Sequence, residues 1–502
     1  MNGPILTIRA DASHQGGTGH IMRTLAIAQE WISRGGNCTY ICASLPDTFL
    51  RRLELENCRV ERLVSTPTSA EEIVETSTLL QKLKPHWLLI DGYSFTPSYQ
   101  ASLNLPKKTK LAVISDFGCN DFDDPDLAIH SNIEDLVDYT AAPNKTIILS
   151  GSDYILIRKE ILNTTTSPTP IIPKGKNLLI TMGGSDPMEA SFLACQEILK
   201  HKHFQQLNIK VILGAAYPTI GKMHSIQATN IELISNPSSM GELYQWADTA
   251  ITSPSTTALE LAYCGLPIGL IITADNQRKI LSSMLKNNLA LQLSDTRGQE
   301  SEFFQLAELI NSDKRLEIAS NSAARIDGKG TKRICEAMRL PDINLRPVST
   351  EDAKDLHNWS NDPVTRAASF NSDPIPWDNH LQWLDTQLNS TDSTLLIIKS
   401  STSKLGVIRF NKNAETLGET IISITLAPEF RGLGLAPLIL SNAALYYFDN
   451  YPQQTITAWI KPTNTASIKS FLKANFVDYP STQHPDKVRM RLTNTHLHHE
   501  HI

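Results

Sequence analysis

Near the start of the chain, a histidine directly follows a glycine-rich loop. Gly16, Gly17 and Gly19 lie within four positions and are followed by His20 and, three residues later, by Arg23. Glycines allow a backbone to approach a diphosphate closely, and the free N–H groups at the start of a helix attract an anion. Since an extended apolar run precedes the loop and a helical pattern follows it, the sequence predicts a phosphate-binding loop with His20 at a substrate. The alternative is a tight turn in which His20 only begins a helix.

A second glycine pair follows a predicted strand in the middle of the chain. Gly183 and Gly184 come after the apolar run 177–181, and their backbone again suits a phosphate. Asp186 and Pro187 predict a helix that begins at Pro187, with Asp186 as its N-cap.

A run of hydroxyl residues lies at another predicted helix start. Ser253 is predicted to cap a helix whose first turn carries Ser255, Thr256 and Thr257, with Glu260 about one turn further on. Hydroxyl and N–H groups there bind phosphate oxygens, and a carboxylate beside them accepts hydrogen bonds from both hydroxyls of a ribose. The set predicts a nucleotide site, and an ordinary capped helix with a solvated Glu260 is the alternative.

A third glycine-containing loop lies in the last part of the chain. It follows a predicted strand at 421–426 and contains Arg431, Gly432 and Gly434, with Ala436 at the start of a predicted helix. The backbone N–H groups of such a loop predict another anion site.

Strand-like and helical segments alternate through most of the chain, and they must position these loops. The alternation predicts one parallel α/β lobe in residues 1–162 and another in residues 163–339, separated by a Thr-, Ser- and Pro-rich segment. Two such lobes bind ligands in the cleft at the carboxyl ends of their strands. The pattern changes near residues 340–344, and residues 344–495 are predicted to form a third domain.

Composition narrows the function classes. The 502 residues carry a net charge of −6 and are 41% hydrophobic, which fits globular domains with cores of their own. Without a basic stripe or a run of about 18 apolar residues, neither nucleic acid nor a membrane is an expected partner. Seven scattered cysteines without a CxxC pair predict a reducing compartment, so we expect a cytoplasmic protein. The His-rich tail at 496–501 is interpreted as disordered rather than as a metal site.

The motifs of residues 5–335 occur together, and in this order, in one known family. They are Arg9-Ala10-Asp11, the loop that ends in Gly19-His20-x-x-Arg23, Tyr154–Arg158, Met182-Gly183-Gly184, and Ser253–Glu260 followed by Asp275-Asn276-Gln277. With them the chain resembles the UDP-sugar hydrolases of pseudaminic acid biosynthesis, which release UDP from UDP-2,4-diacetamido-2,4,6-trideoxy-β-L-altrose. These hydrolases are relatives of the lipid II N-acetylglucosaminyltransferases, so the resemblance implies two Rossmann-like lobes of the GT-B type.

The resemblance implies roles for individual residues. His20 is expected to be the general base that activates water, and Tyr93 and Asn276 are expected at the sugar. The other substrate-binding residues that it implies are Asp11, Gly17, Gly19, Arg23, Gly183, Gly184, Ser255, Thr256, Thr257, Glu260 and Gln277. The chemistry agrees, because water that attacks an anomeric carbon needs a base with a pKa near neutrality. A diphosphate leaving group needs charge stabilisation, so no metal is expected.

Residues 344–492 resemble the GCN5-related N-acetyltransferases. The motifs are Leu345-Arg346-Pro347-Val348, Arg431-x-x-Gly434-x-Ala436, and Asn464-x-x-Ser467 with Phe471 and Asn475-Phe476. They imply an acetyl-CoA site at Leu426, Arg431, Gly432, Gly434, Ala436, Asn464 and Ser467. Phe471 stands where the family often has a tyrosine acid, which leaves the acid open. Glu419 is a candidate base for the amine, with a surface role or deprotonation through water as the alternatives.

The two resemblances together predict an α/β chain with two Rossmann-like lobes of GT-B type, followed by a GCN5-related N-acetyltransferase α+β domain. They predict a bifunctional enzyme that acetylates a UDP-4-amino-4,6-dideoxy sugar with acetyl-CoA and then hydrolyses the UDP linkage. A UDP-sugar glycosyltransferase fused to an acetyltransferase is the first alternative. A non-catalytic nucleotide-sugar sensor is the second. The position of His20, directly after the glycine loop, favours hydrolysis.

Overall fold

The computed structural model describes residues 3–12, 17–133, 146–164, 175–184, 186–214, 217, 220–226, 228–235, 237, 239–295, 300–301, 303–311, 313–339, 343–400, 403–414, 416–433, 435–481 and 484–494. Gly16, Gly434, the His-rich tail and the central parts of both predicted linkers lie outside the described residues. The chain forms two compact units, Met1–Cys335 and Glu336–Ile502. The boundary predicted at residue 162 lies within the first unit, and the division into three domains stays a prediction.

The first unit begins with a parallel sheet. Its strands are β1 (Ile5–Ala10), β2 (Asn37–Cys42), β3 (Arg59–Arg62), β4 (Trp87–Asp91), β5 (Lys110–Ile114), β6 (Leu127–His130) and β7 (Ile147–Ser150). The accompanying helices are α1 (Gly19–Ser33), α2 (Asp47–Leu55), α3 (Ala70–Leu83), α4 (Pro97–Ser102) and α5 (Lys159–Thr164). The strand order is β3-β2-β1-β4-β5-β6-β7, and every pair is parallel.

The apolar residues explain why these elements form. Strands β1 and β4 are buried along nearly their whole length, as expected at the centre of a parallel sheet that is covered on both faces. In α1, Ile21, Leu25 and Ala28 are buried, whereas His20 and Arg23 lie outside this apolar stripe. The helical spacing of Ile21, Leu25, Ala28 and Ile32 predicts this packing face, and the burial of the first three agrees with it.

A second sheet of the same design follows in the first unit. Its strands are β8 (Asn177–Thr181), β9 (Asn208–Leu213), β10 (Ile231–Ser235), β11 (Thr249–Thr252), β12 (Ile268–Ile272), β13 (Leu291–Asp295) and β14 (Glu300–Ser301). The helices are α6 (Ala190–Lys200), α7 (Ile220–His224), α8 (Met240–Trp246), α9 (Thr256–Tyr263), α10 (Arg278–Lys286), α11 (Leu306–Asn311), α12 (Asp313–Arg325) and α13 (Gly330–Arg339), the last of which continues past the end of the unit.

This second sheet has the order β10-β9-β8-β11-β12-β13-β14 and is parallel except for β14. In both sheets the strand order reverses at the centre, between β1 and β4 in the first and between β8 and β11 in the second. Open α/β sheets bind ligands outside the carboxyl ends of the strands at such a reversal. The parallel α/β prediction is confirmed, whereas the GT-B assignment stays a prediction.

The second unit contains a mixed sheet. Its strands are β15 (Asn344–Pro347), β16 (Ser393–Lys399), β17 (Lys404–Lys412), β18 (Glu419–Leu426), β19 (Thr455–Ile460), β20 (Val477–Asp478) and β21 (Val488–Thr493). The helices are α14 (Ala353–Asn361), α15 (Pro363–Ala368), α16 (Trp377–Leu388), α17 (Leu435–Asn450) and α18 (Thr465–Lys473). The order is β15-β16-β17-β18-β19-β21-β20, and only β18 and β19 pair in parallel within the described residues.

The two faces of this mixed sheet are covered differently. Helix α17 packs on one face, where the rings of Phe410 and Tyr447 stack with their centroids 4.3 Å apart and Ile422 joins the same core. On the other face, α14 and α16 cover β16 through Leu356 and Leu384. Short 3₁₀ turns of the chain lie at Gly118–Asp121, Ser152–Tyr154, Lys202–Phe204, Asp275–Gln277, Phe303–Gln305, Thr350–Asp352 and Pro428–Phe430.

Candidate active site

A cavity of about 690 Å³ opens in the first unit, at the carboxyl ends of both parallel sheets. This volume lies within the range of sites that bind small molecules and cofactors. Thirteen of the sequence-predicted site residues line it, and they are Gly17, Gly19, His20, Arg23, Tyr93, Gly183, Gly184, Ser255, Thr256, Thr257, Glu260, Asn276 and Gln277. Loops after β1, β4, β8, β11 and β12 supply them, so the two strand-order reversals face one cavity.

A buried carboxylate orients His20. Asp91 is the last residue of β4, and its Oδ1 lies 2.8 Å from His20 Nδ1. Burial alone would raise the pKa of Asp91, but the charges of Arg23 and His20 outweigh this effect and lower the pKa to about 2. An ionised carboxylate only accepts hydrogen bonds, so Nδ1 of His20 is the donor. The lone pair of a neutral imidazole is then on Nε2, which is the arrangement of a general base.

Arg23 is a clamp for two carboxylates rather than an open ligand-binding group. Its Nε donates to Asp91 Oδ2 at 2.7 Å and its Nη2 to Asp91 Oδ1 at 2.6 Å, while Nη1 donates to both oxygens of Asp116 at 3.0 and 3.1 Å. Asp116 in turn accepts the hydroxyl of Tyr93 at 3.0 Å. The clamp therefore fixes the carboxylate that holds His20 and the tyrosine beside it.

The structure brings Tyr93, Asn276 and His20 together. The rings of His20 and Tyr93 meet edge to face with their centroids 4.8 Å apart, and Asn276 Nδ2 lies 3.3 Å from the Tyr93 hydroxyl. Burial raises the pKa of Tyr93 above its ordinary value, and the negative charge of Asp116 adds to the effect. Tyr93 is therefore a neutral hydrogen-bonding group at neutral pH.

Sequence reasoning missed Asp91 and Asp116. Each stands at the carboxyl end of a predicted strand, Asp91 closing β4 and Asp116 following β5 by two residues. These two strands are neighbours in the sheet, and β4 also pairs with β1, where Ala10 lies opposite Asp91. The signal that could have found both carboxylates is this placement of Asp at adjacent strand ends.

The glycines of the two loops serve different purposes. Gly17 and Gly183 have φ angles of +78° and +85°, a backbone region that favours glycine. A Cβ on Gly184 would lie 1.8 Å from Thr18 Oγ1, so this glycine allows the two loops to approach each other. A Cβ on Gly19 would meet nothing within 4 Å. Protein packing therefore does not require glycine at position 19.

The predicted helix start at Pro187 is wrong. Helix α6 begins at Ala190, because Glu189 has a left-handed backbone with φ of +51°. The two oxygens of Asp186 accept the N–H groups of Ala190 and Ser191, both at 2.8 Å. This helix terminus already has a carboxylate and is not open to a phosphate.

The start of α9 differs from that of α6. Its N-cap is Ser255, not Ser253 as predicted, and no side chain accepts a hydrogen bond from its first turn. Ser255, Thr256 and Thr257 line the cavity. The start of α9 therefore has no side-chain cap at the cavity, as is also true of the start of α1.

Glu260 lies in α9 as predicted, but it is paired within the protein. Arg158 Nε donates to its Oε1 at 2.6 Å and Nη2 to its Oε2 at 2.7 Å, and the Tyr244 hydroxyl donates to Oε2 at 3.3 Å. Arg158 Nη1 donates to Glu160 at 2.6 Å, and Glu160 also pairs with Arg52 at 2.7 Å. A chain of ion pairs thus runs from α2 to α9 along the cavity.

Two residues predicted to bind substrate have other partners. Asp11 does not line the cavity, because its Oδ1 accepts the N–H groups of Ala43 and Ser44 at 2.7 and 3.0 Å and pairs with Arg9 at 2.9 Å. Gln277 lines the cavity, but its Oε1 accepts the N–H of Thr273 at 2.8 Å and so braces its own turn.

The mixed sheet of the second unit opens between two strands. Strands β18 and β19 pair only over Glu419–Ile421 and Thr455–Thr457, although β18 continues to Leu426 and β19 to Ile460. Beyond Leu426 the chain passes through Gly432, which has a φ of +69°, to the start of α17, where Ala436 is the second residue. A gap between strands thus leads to a helix N-terminus, which suits a long ligand with an anionic part.

The side chains predicted at this second site also have protein partners. Arg431 donates from Nε to Leu426 O at 3.0 Å, from Nη2 to Thr365 Oγ1 at 2.9 Å and from Nη1 to Asp362. Asn464 is the N-cap of α18, and its Oδ1 accepts the N–H of Ser467 at 3.1 Å. Both side chains shape the loops that carry them.

The geometry of Glu419 does not support its predicted role as a base. Its Oε1 accepts hydrogen bonds from Thr457 Oγ1 and Arg489 Nη2, both at 2.5 Å, and its Oε2 accepts one from Asn413 Nδ2 at 2.7 Å. Burial alone would raise the pKa of Glu419, but these hydrogen bonds lower it below its ordinary value. A buried carboxylate with three donors and a lowered pKa is a poor proton acceptor, so Glu419 joins β18, β19 and β21 instead.

Comparison with known families identifies the second unit. Residues 342–477 match the family model of an acetyltransferase (GNAT) domain. This part of the chain is a GNAT acetyltransferase domain. Among solved structures, spermidine N-acetyltransferase from Vibrio cholerae in complex with CoA and spermine is 17% identical, covering 31% of this chain and 97% of that one with a TM-score of 0.28.

Three curated proteins are similar over longer stretches. An uncharacterized protein of Methanocaldococcus jannaschii is 22% identical over 499 residues, covering 94% of this chain and 96% of that protein. The spore coat polysaccharide biosynthesis protein SpsG of Bacillus subtilis is 20% identical and covers 65% of this chain and 95% of its own. The UDP-2,4-diacetamido-2,4,6-trideoxy-beta-L-altropyranose hydrolase of Campylobacter jejuni is 22% identical, and the similarity covers 57% of this chain and 97% of that protein.

Phe471 of the GNAT domain is a core residue. It is buried, and its ring meets that of Phe476 edge to face with the centroids 4.8 Å apart. Phe471 therefore packs the core and supplies no acid.

Neither a metal-ligand cluster nor a membrane-spanning helix is present among the described residues. In that part of the chain, no group of three or more His, Cys, Asp or Glu side chains is placed to hold a metal ion. Nor does any helix there have both the length and the apolar character that a membrane span requires.

Proposed function

We propose that the chain is a bifunctional nucleotide-sugar enzyme. Its GNAT domain acetylates the 4-amino group of a UDP-4-amino-4,6-dideoxy sugar with acetyl-CoA. Its first unit then hydrolyses UDP-2,4-diacetamido-2,4,6-trideoxy-β-L-altrose and releases UDP. The names of the Campylobacter hydrolase and the Bacillus spore coat protein support a sugar-related role for the first unit.

The observation that carries the hydrolase half is the Asp91–His20 pair at the edge of the cavity. In the proposed step, a water oxygen forms a bond to the anomeric carbon while His20 Nε2 takes its proton. The bond from the anomeric carbon to the diphosphate oxygen breaks, and UDP leaves with the electron pair. Asp91 stays ionised and stabilises the imidazolium that forms.

The leaving diphosphate needs positive potential near the point of bond cleavage. We assign this role to the N-terminus of α1, with Gly17 and Gly19, and to the uncapped start of α9, with Ser255, Thr256 and Thr257. The open space at Gly19 is the place where a phosphate would approach the backbone. We assign Glu260 to the ribose and Tyr93 and Asn276 to the sugar.

A single substitution at Gly19 tests this placement. Gly19→Ala adds one methyl group in open space, so it is expected to leave the thermal stability unchanged and to weaken UDP binding about tenfold by steric exclusion. Titration calorimetry with UDP measures the binding. Unchanged affinity would put the diphosphate elsewhere.

The acetyltransferase half rests on the GNAT domain. Acetyl-CoA supplies an activated acetyl group as a thioester, and we assign it to the gap between β18 and β19 and to the start of α17. The residues that would hold it include Leu426, Arg431, Gly432, Gly434, Ala436, Asn464 and Ser467. The two halves then carry out consecutive steps, because the acetylated product of one is the substrate of the other.

The decisive experiment uses the full chain with defined sugars. Mass spectrometry of a mixture with a UDP-4-amino-4,6-dideoxy sugar and acetyl-CoA is expected to show the N-acetylated nucleotide sugar. The diacetamido UDP-sugar alone is expected to give free UDP without any acceptor. UDP release that needs a sugar acceptor would indicate a glycosyltransferase, and bound ligand without turnover would indicate a sensor.

A further inference from the structure

One face of the GNAT sheet carries arginines that the proposed acetyl transfer does not yet use. This polar face lies opposite α17 and consists of Arg409, Ser423, Thr457, Trp459, Tyr479, Arg489 and Arg491. The neighbouring residues Ile408, Phe410, Ile422, Ile456, Ala458, Met490 and Leu492 belong to the core under α17. Because side chains alternate along a strand, the members of the polar face point the other way.

Arg409 is the unusual residue of this face. It is partly buried, and in the described part of the chain no carboxylate pairs with it. Its neighbour is the ring of Trp383, whose centroid lies 5.8 Å from the guanidinium carbon. Burial lowers the pKa of Arg409 below its ordinary value, and no nearby carboxylate opposes the effect. A partly buried cation without a counter-charge is less favourable than a paired one, so its presence favours an anion that arrives with a ligand.

Two more arginines lie on this face, and the charge of one of them is balanced by Glu419. Arg489 pairs with Glu419 and lies near the rings of Trp459 and Tyr479 at 5.3 and 5.2 Å. Arg491 has no carboxylate partner among the described residues; it makes a long 3.4 Å hydrogen bond to Thr455 and lies 4.8 Å from the Tyr479 ring.

The pairing register places the two arginines on either side of the β18–β19 pair, with Arg491 level with its last paired residues and Arg409 level with the first part of the gap. Arg409 lies opposite Ser423 on β18, and Arg491 lies opposite Thr457 on β19. Where β18 and β19 pair, three strand spacings of about 4.8 Å put the backbones of β17 and β21 about 14 Å apart, and this separation grows beyond Ile421, where the pairing ends. Two long side chains that reach inward from these positions can meet the same diphosphate.

We infer that Arg409 and Arg491 bind the diphosphate of the acceptor, so that the GNAT domain selects a nucleotide-linked amino sugar over a free amino sugar. The inference rests on the proposed acetylation of a UDP-sugar. The guanidinium group suits the task, because its planar set of donors matches phosphate oxygens. The diphosphate of acetyl-CoA is assigned to the start of α17, which lies on the opposite face of the sheet, and so leaves the polar face to the acceptor.

The test is a kinetic comparison of acceptors in the full chain. Arg409→Gln and Arg491→Gln are each expected to raise KM for a UDP-4-amino-4,6-dideoxy sugar about tenfold or more, because each removes a charged hydrogen bond to phosphate. The KM for acetyl-CoA, kcat at saturation and the KM for the same amino sugar without UDP are expected to stay unchanged. Arg409→Lys, which keeps the charge, is expected to restore part of the affinity.

Lys412→Gln is the matched control, because Lys412 is an exposed cation of the same strand outside the polar face. It is expected to change none of these constants. Arg409→Gln is also expected to leave the thermal stability unchanged or raised, since the guanidinium has no carboxylate partner to lose. A rise in KM for acetyl-CoA instead, or a wild type that accepts the free amino sugar equally well, would overturn the inference.

UDP alone separates this inference from the proposed function. Titration of UDP into the wild type is expected to show two sites, one of which disappears in the Arg409→Gln Arg491→Gln double variant. If the wild type acetylates no UDP-sugar but the double variant still lacks one of the two UDP sites, the proposed reaction is wrong and the inferred binding site is supported. If the double variant binds UDP as the wild type does, the inference fails, whichever reaction the wild type catalyses.

Discussion

Asp91 in the first unit and Glu419 in the second are both buried carboxylates at strand ends with lowered pKa values. Asp91 accepts hydrogen bonds from Arg23 and from His20, and the imidazole it holds lies at the edge of a cavity. Glu419 accepts hydrogen bonds from Asn413, Thr457 and Arg489, none of which is a base near neutral pH.

A buried, ionised carboxylate thus acquires its chemical role through its partner. Both groups are poor proton acceptors, because their ionised forms are stabilised. When the partner is an imidazole with a second nitrogen facing a cavity, the carboxylate orients a base. When the partners are a hydroxyl, an amide and a guanidinium, it joins strands.

Removal of the imidazole has the largest expected effect. His20→Ala is expected to lower the rate of UDP release by about 10²–10⁴-fold, the usual contribution of a general base. Acetyl transfer by the same preparation is expected to be unchanged, because its residues lie in the other unit. UDP release is measured with the diacetamido UDP-sugar, and acetyl transfer with acetyl-CoA.

His224→Ala is the matched control for this change, since His224 is an exposed histidine of the same unit and does not line the cavity. A His20→Ala variant that releases UDP at the wild-type rate would give His20 a purely structural role and remove the contrast with Glu419.

Asp91→Asn tests the orienting carboxylate itself. The amide has the same size but lacks the charge that holds Nδ1–H, so we expect about a 10²-fold loss in kcat for UDP release with a smaller change in KM. The pH profile of kcat is also expected to shift toward lower pH, because the imidazolium loses its counter-charge. A loss in kcat of the same size without a shift in the pH profile would indicate that the substitution disturbs packing instead.

Glu419→Gln tests the other side of the comparison. The change removes the charge that Arg489 faces, so the GNAT domain is expected to lose about 1–2 kcal/mol of unfolding free energy. The kcat of acetyl transfer and its pH profile are expected to remain as in the wild type. A tenfold fall in kcat with normal stability would restore Glu419 as the base.

The smallest expected effect is on the pH dependence of stability. The pKa of Asp91 is lower in the folded protein than in the unfolded chain, so its contribution is complete above about pH 5 and is lost as the pH falls toward 2. The stability difference between wild type and Asp91→Asn is expected to shrink by about 1 kcal/mol between pH 6 and pH 3. Urea unfolding at both pH values measures it, and a constant difference would mean that Asp91 is not ionised in the folded state.

The fold was largely readable from the sequence, because parallel strands are continuous apolar runs and the helices between them are periodic. The runs before His20 and before Gly183 each became the third of seven strands, beside the point where the strand order reverses, which put both loops at the same cavity. Helix starts were less readable. A single left-handed residue, Glu189, moved the start of α6 by three positions, and no local pattern signals such a residue.

The site residues could be predicted from the sequence where their motifs are local. They could not be predicted where the interacting partners are distant in sequence. Asp91 is 71 positions from His20, and Arg158 is 102 positions from Glu260. Such residues come together only through the order of the strands in the sheet. The pattern of residues along the sequence does not reveal that order. The structural role of Glu419 could not be predicted for the same reason, because its partner Arg489 lies 70 positions away.

The short pairing of β18 with β19 has a thermodynamic consequence. Over three residues on each strand, few backbone hydrogen bonds join the two parts of the GNAT sheet, so much of the cohesion at this seam must come from side chains and from whatever occupies the gap. A ligand that binds only the folded state stabilises it by an amount that grows with its concentration, about 2.7 kcal/mol at a hundredfold excess over Kd. The melting temperature of the GNAT domain is therefore expected to rise with added CoA, which makes the cellular supply of the acetyl donor a determinant of how long the domain stays folded.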